Sequence, residues 1–261
     1  MRYKITIEYD GTNYNGWQKQ NGKFTIQENL EVAIRLLTGE ITEVYGSGRT
    51  DSGVHAIAQI AHFDMQKKMD LFKIMSGINF YLKSQYISRI DCNYVAHTGN
   101  IQDIAVTNCE IVDENFHARF SAKKRYYRYR ILNRRQPTAI NNNRVWQVHK
   151  ELDFDKMVKA LPCFIGHRDW SSFRDSDCQA KSPIKTIDEV KLSRNDEEII
   201  FEINAKSFLH HMVRNIVGTL IDVGLGKTDI EKLKYIIDAK DRTKAGPMAP
   251  ASGLYFVKVD Y

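Results

Sequence analysis

The chain has 261 residues, 43% of them apolar, which is enough to bury a core as one large domain or two modest ones and argues against disorder. Its formal charge of +6 suits a polyanionic partner without requiring one. No apolar run approaches the roughly 18 residues of a membrane-spanning helix, and "MRYKITIEYD" lacks the hydrophobic region of a signal peptide, so a cytoplasmic protein with no membrane partner is expected.

In "YKITIEY", Ile5, Ile7 and Tyr9 alternate with polar residues, the pattern of a half-buried strand. "TIQENLEVAIRLLTG" predicts a helix: Thr25 and Glu28 form a capping box, Leu30, Ala33, Ile34 and Leu37 line one face, and Gly39 ends it. A strand is expected over "IAQIAHF" (57–63), a helix over 70–82 and a strand over "IAVTNCEIV" (104–112). The second part repeats this grammar. "RYYRYRILN" reads as a strand, "DFDKMVKALPCFIG" as a helix, and strands follow near 186–192 and 198–204. "SFLHHMVRNIVGTLIDVG" reads as one long helix ending at Gly224, then come a short helix and the strand "LYFVKVDY". The fold class is therefore α+β: two similar α/β halves, 1–112 and 113–261, with mainly antiparallel sheets and helices on one face. Cys92, Cys109, Cys163 and Cys178 are scattered, with no CxxC pair, and read as reduced thiols.

The densest basic segment, "FHARFSAKKRYYRYRILNRR" (116–135), contains no Asp or Glu. On a strand, Tyr127, Tyr129 and Ile131 share one face and Arg128 and Arg130 the other. Cations beside aromatic rings suit single-stranded or flipped nucleotides, with Lys123, Lys124, Arg125 and Arg128 as candidate phosphate contacts. The alternative is a solvated basic edge strand; the length of the run and its lack of acids favour nucleic acid.

In "YGSGRTDSGVHA" (45–56), Asp51 stands among three glycines beside Arg49. The stretch fails the Walker pattern, since no GK[ST] ends it. Asp51 is either a turn residue bonding nearby backbone or a reactive carboxylate on a loop that a ligand can approach closely. Arg214 in "FLHHMVRNIVG" falls, on a helical projection, with Ser207, His210, His211 and Gly218 on the narrow side of an apolar arc. Such an arginine is half-exposed or faces a carboxylate. His210 and His211 are adjacent, not i,i+4, and no HExxH or GxSxG occurs, so neither metal nor serine nucleophile is expected.

The motifs "YDGTNYNGWQ", "GRTDSGVHA", "FHARFSA", "RYYRYRILN", "DWSSFR", "HHMVRNIVG" and "GLYFVKVDY" resemble, in order, those of the tRNA pseudouridine synthase A (TruA) family, with Ser52 where many members have Ala. The resemblance implies a continuous antiparallel sheet with a central basic cleft, and a homodimer acting on the anticodon arm of tRNA. The implied reaction isomerises uridine to pseudouridine at about positions 38 to 40 on a flipped base, with no cofactor or metal. It implies that Asp51 is the catalytic residue, that Tyr127 stacks on the uracil, and that Arg214 pairs with Asp51. Arg49 would contact the flipped nucleotide and Leu254 would wall the pocket. Whether Asp51 adds to C1′ or takes a sugar proton stays open. The competing classes are a non-catalytic RNA binder and a metal-dependent nuclease, which would need clustered carboxylates.

Overall fold

The computed structural model describes residues 1–83 and 102–261, which form two compact units. The first comprises Met1–Lys123 together with Phe256–Tyr261. Its sheet is built on β1 (Arg2–Tyr9), whose inward residues Tyr3, Ile5, Ile7 and Tyr9 are buried as their alternation requires. β1 lies antiparallel between β3 (His55–Asp64) and β4 (Ile104–Val112), and β10 (Leu254–Asp260) flanks β3 on the other side. A two-residue strand, β2 (Tyr45–Gly46), pairs with β3 at His62 and Ala61. Helix α1 (Ile26–Thr38) starts where Thr25 Oγ1 accepts the Glu28 N–H and ends at left-handed Gly39. It buries Leu30, Ala33 and Ile34, and packs on α2 (Leu71–Tyr81), which Asp70 caps.

The second unit is Lys124–Tyr255. Its strands run in the order β5 (Lys124–Asn133), β9 (Glu198–Ala205), β8 (Ile184–Asn195), β7 (Gly166–Asp169), each neighbour antiparallel. β6 (Trp146–Val148) adds in parallel to β5. Helices α3 (Phe154–Ala160), α4 (Met212–Gly224) and α5 (Ile230–Ala239) complete it. The α+β reading therefore holds: each unit is a mainly antiparallel sheet with helices.

Two helices are shorter than their patterns suggest. Pro162 removes a backbone donor, so the α3 segment tightens into a 3-10 turn over Leu161–Phe164. The long helix expected from Ser207 begins only at Met212, because His211 is left-handed at φ 59° and breaks the helical repeat. β2, β6 and β7 are too short to leave a periodic signal. Cys109, Cys163 and Cys178 are free thiols, and Cys92 lies outside the described residues. Burial pushes the Cys109 thiol up to about 11.

Candidate active site

In the first unit, Asp51 is half-buried on the loop joining β2 to β3, and Arg49 is exposed beside it. The Asp51 carbonyl accepts the Val54 N–H at 3.2 Å, closing a turn whose third residue, Gly53, is left-handed at φ 79°. Thus the backbone of Asp51 does serve a turn, while its side chain stands on a braced loop. Upstream, the Ser47 N–H donates to Ile60 O at 2.7 Å and Gln59 Nε2 to Gly48 O at 2.9 Å. Downstream, the Gly53 N–H and the Ser52 hydroxyl both donate to Tyr14 O, at 3.4 and 3.1 Å.

The brace around Thr50 comes from the N-terminal motif. Its carbonyl accepts the Trp17 N–H at 3.0 Å, and its hydroxyl bonds Tyr9 Oη at 2.8 Å. Gly11 and Gly16 make this approach possible. A Cβ on Gly11 would sit 2.0 Å from Val54 O, and one on Gly16, already at φ 84°, 2.5 Å from Thr50 O. Tyr14, Trp17 and these glycines were not among the site residues read from sequence, although "YDGTNYNGWQ" contains them.

In the second unit, Arg214 sits in the first turn of α4 and is only 8% exposed. Its Nε donates to Ala249 O at 2.8 Å, and the Ala249 N–H returns a bond to Arg214 O at 3.1 Å. The same stretch is stitched further along the helix. The Gly246 N–H donates to Thr219 Oγ1 at 3.0 Å, and Arg242 reaches Asn215 Oδ1 at 2.8 Å. A Cβ on Gly218 would lie 1.7 Å from Pro247 O. Of the two expectations for Arg214, half-exposure is excluded; the guanidinium is buried and bonded.

The start of α4 is held from the loop at 175. His211 Nδ1 meets Asp175 Oδ2 at 2.6 Å, and the rings of His210 and His211 stack with centroids 3.7 Å apart. Burial alone would raise the Asp175 carboxyl; the Asp177 N–H and the His211 ring outweigh it and hold the group below the usual carboxylate range.

Tyr127 is 9% exposed on the inward face of β5, its ring edge-on to Phe208 at 5.1 Å, and Tyr129 and Ile131 share that face as the alternation implies. Leu254 is buried at the head of β10, after a turn in which Gly253 lies against the Tyr129 ring. The basic residues of β5 are less available than the sequence suggests. Arg128 places Nε and Nη2 on Glu202 Oε1 at 3.0 and 2.9 Å, and Arg130 pairs with Glu198. Lys124 Nζ is 3.0 Å from Asp188 Oδ2. Arg125 is buried, its Nη1 donating to Lys206 O, whereas Lys123 is exposed. The carboxylates come from β8 and β9, some 60–75 residues away.

A profile of the family described as tRNA pseudouridine synthase matches residues 5–95 and 160–261 of this chain. A tRNA pseudouridine synthase A of Wolbachia pipientis wMel is 47% identical over 262 aligned residues, covering 100% of both proteins. One from Ehrlichia chaffeensis matches at 47% over the same full length. The chain belongs to the tRNA pseudouridine synthase family. The profile segments contain Arg49, Asp51, Arg214 and Leu254, while Tyr127 and the basic run lie in the interval that only the full-length relatives span. No helix among the described residues of this synthase-family chain is long and apolar enough to cross a membrane.

Proposed function

We propose that this protein isomerises uridine to pseudouridine in the anticodon arm of tRNA, at about positions 38 to 40. The observation that carries the reading is 47% identity across the whole of both chains to proteins named tRNA pseudouridine synthase A. The braced, half-buried Asp51 loop supports it, because a rigid glycine-lined turn suits a carboxylate that must meet a nucleotide.

The target base leaves the stack, the C1′–N1 bond breaks, the uracil turns, and C5 bonds to C1′. C5 then loses its proton and N1 gains one, so product and substrate are isomers and no oxidant, reductant or water is consumed. Asp51 is the reactive carboxylate, either adding to C1′ or taking a sugar proton. Tyr127 stacks on the uracil and assists removal of the C5 proton, and Arg214 is the cation that keeps the reactive carboxylate ionised. Arg49 meets the flipped nucleotide and its phosphate, and Leu254 is an apolar wall. In this division of labour the first half carries the Asp51 loop and the second the tyrosine strand and arginine helix.

Lys123, Lys124, Arg125 and Arg128 supply cations for phosphate; Arg125 lies on the buried face of β5, and Arg128, on the other face, would exchange Glu202 for a phosphate. The protein works in the cytoplasm as a homodimer. The test uses unmodified tRNA transcripts with EDTA present. The wild type is expected to form pseudouridine, and Asp51→Asn to form none while still binding tRNA. Near wild-type turnover by Asp51→Asn would refute the assignment, as would cleavage abolished by EDTA or binding without modification.

A further inference from the structure

The motif "FHARFSA" takes no part in the chemistry above, yet it builds a rigid aromatic surface on the first unit. Phe120 is 75% exposed, and its ring rests 4.3 Å from that of His117. Tyr45, 40% exposed on β2, approaches the same His117 ring at 5.6 Å and stacks on His62 at 5.1 Å. The Arg119 guanidinium carbon lies 5.6 Å from the Phe120 ring.

Backbone bonds fix this arrangement from below. His117 Nδ1 accepts the N–H groups of Arg119 and Phe120 at 3.1 and 3.4 Å, and His62 Nδ1 accepts that of Ala118 at 3.1 Å. The turn is closed at both ends. The Ser121 N–H donates to His117 O at 2.9 Å, and the His117 N–H to Ser121 Oγ at 3.0 Å. The backbone that carries Phe120 is thus fixed and its ring already lies against His117, so less freedom is lost when something stacks on it. Every base has a π-face that such a ring accepts, and the neighbouring guanidinium favours a polyanion over an apolar protein surface.

We propose that Phe120, with Tyr45 and Arg119 beside it, is a stacking site for an unpaired nucleobase of the tRNA substrate, distinct from the uridine that reacts. Asp51 follows Tyr45 by six positions in the chain, so that part of the site lies within roughly 20 Å of the residue proposed to react. The inference rests on the reading of this protein as one that acts on tRNA.

The experiment measures Kd for a labelled, unmodified tRNA transcript, with the protein's mass in solution determined in parallel. Phe120→Ala and Phe120→Leu should each weaken binding about 5- to 150-fold, and Phe120→Trp should keep wild-type affinity, as loss and retention of one base–aromatic stack require. Wild-type affinity in Phe120→Ala would overturn the proposal. So would retained affinity in Phe120→Leu, since apolar bulk rather than stacking would then suffice. A fall in mass for Phe120→Ala would instead assign the surface to a second copy of the chain. A wild type that binds tRNA in a Phe120-dependent way but makes no pseudouridine overturns the proposed activity alone. Pseudouridine formation with unchanged binding by Phe120→Ala overturns the stacking site alone.

Discussion

Replacing Gly218 by alanine sets two effects of opposite sign against each other. Gly218 lies inside α4, where alanine is favoured over glycine by roughly 0.5–1 kcal/mol on backbone entropy. The added methyl, however, would stand 1.7 Å from Pro247 O and 2.9 Å from Pro247 C. A carbon and a carbonyl oxygen rest no closer than about 3.3 Å, so the 247–249 strap would have to retreat by about 1.6 Å. Overpacking of this kind costs roughly 1–3 kcal/mol. The retreat also draws Ala249 away from Arg214, putting at risk one backbone bond and one bond to a charged group, together about 2–4 kcal/mol. The packing loss therefore wins, and Gly218→Ala should be destabilised by about 2–5 kcal/mol, a fall in thermal midpoint of about 5–15 °C. Turnover should drop with it, because the strap orients Arg214. Gly77→Ala in α2 is the control, since the nearest atoms to its methyl belong to the Leu37 side chain, which can rotate, and not to backbone. A Gly218→Ala protein as stable as the wild type, or more so, would refute the reasoning.

Burial, with His117 and Arg2 nearby, pushes His62 down to about 4. The unfolded chain takes up this proton near pH 6.5 while the folded one resists it until about pH 4. Stability should therefore fall as pH drops through that window, by about 3 kcal/mol in all. Denaturant unfolding at several pH values should show a shallower acid slope for His62→Gln; an identical slope would contradict the placement of this ring. Tyr129 is fully buried and donates to Pro250 O at 2.6 Å, just before the turn into Leu254. Tyr129→Phe should lose about 1–3 kcal/mol in chemical denaturation, and no loss would mean that the bond contributes nothing.

Elements with local signals were legible in the sequence. α1 carries its own start and stop at Thr25 and Gly39, β4 runs over the residues expected of it, and the buried face of β5 follows from period two. The start of α4 was not legible, because the apolar arc continues upstream of Met212 and only the left-handed backbone of His211, bonded to distant Asp175, ends the helix there. Arg214 was ambiguous for the same reason: its backbone partner, Ala249, lies 35 residues away. The run 116–135 contains no acid, yet Arg128 and Arg130 are neutralised by Glu202 and Glu198 across the sheet. Local sequence records composition, not cross-strand neighbours. The loop of Asp51 was singled out by its glycines, but Gly11 and Gly16, which let the N-terminal motif grip it, reveal their purpose only where two backbones meet.

The first unit takes its last strand from residues translated after the entire second unit. At ordinary synthesis rates of about 5–20 residues per second, the edge of β3 therefore waits on the order of ten seconds, covered at His62 and Ala61 by β2 and at Ile60 by the Ser47 N–H. An open edge of that kind is a template for pairing with the wrong chain. The nascent half that holds Asp51 therefore carries an open strand edge until its last residues are made. Loss of Phe256–Tyr261 would remove a strand from the Asp51-bearing half, although those residues follow the other half in the chain.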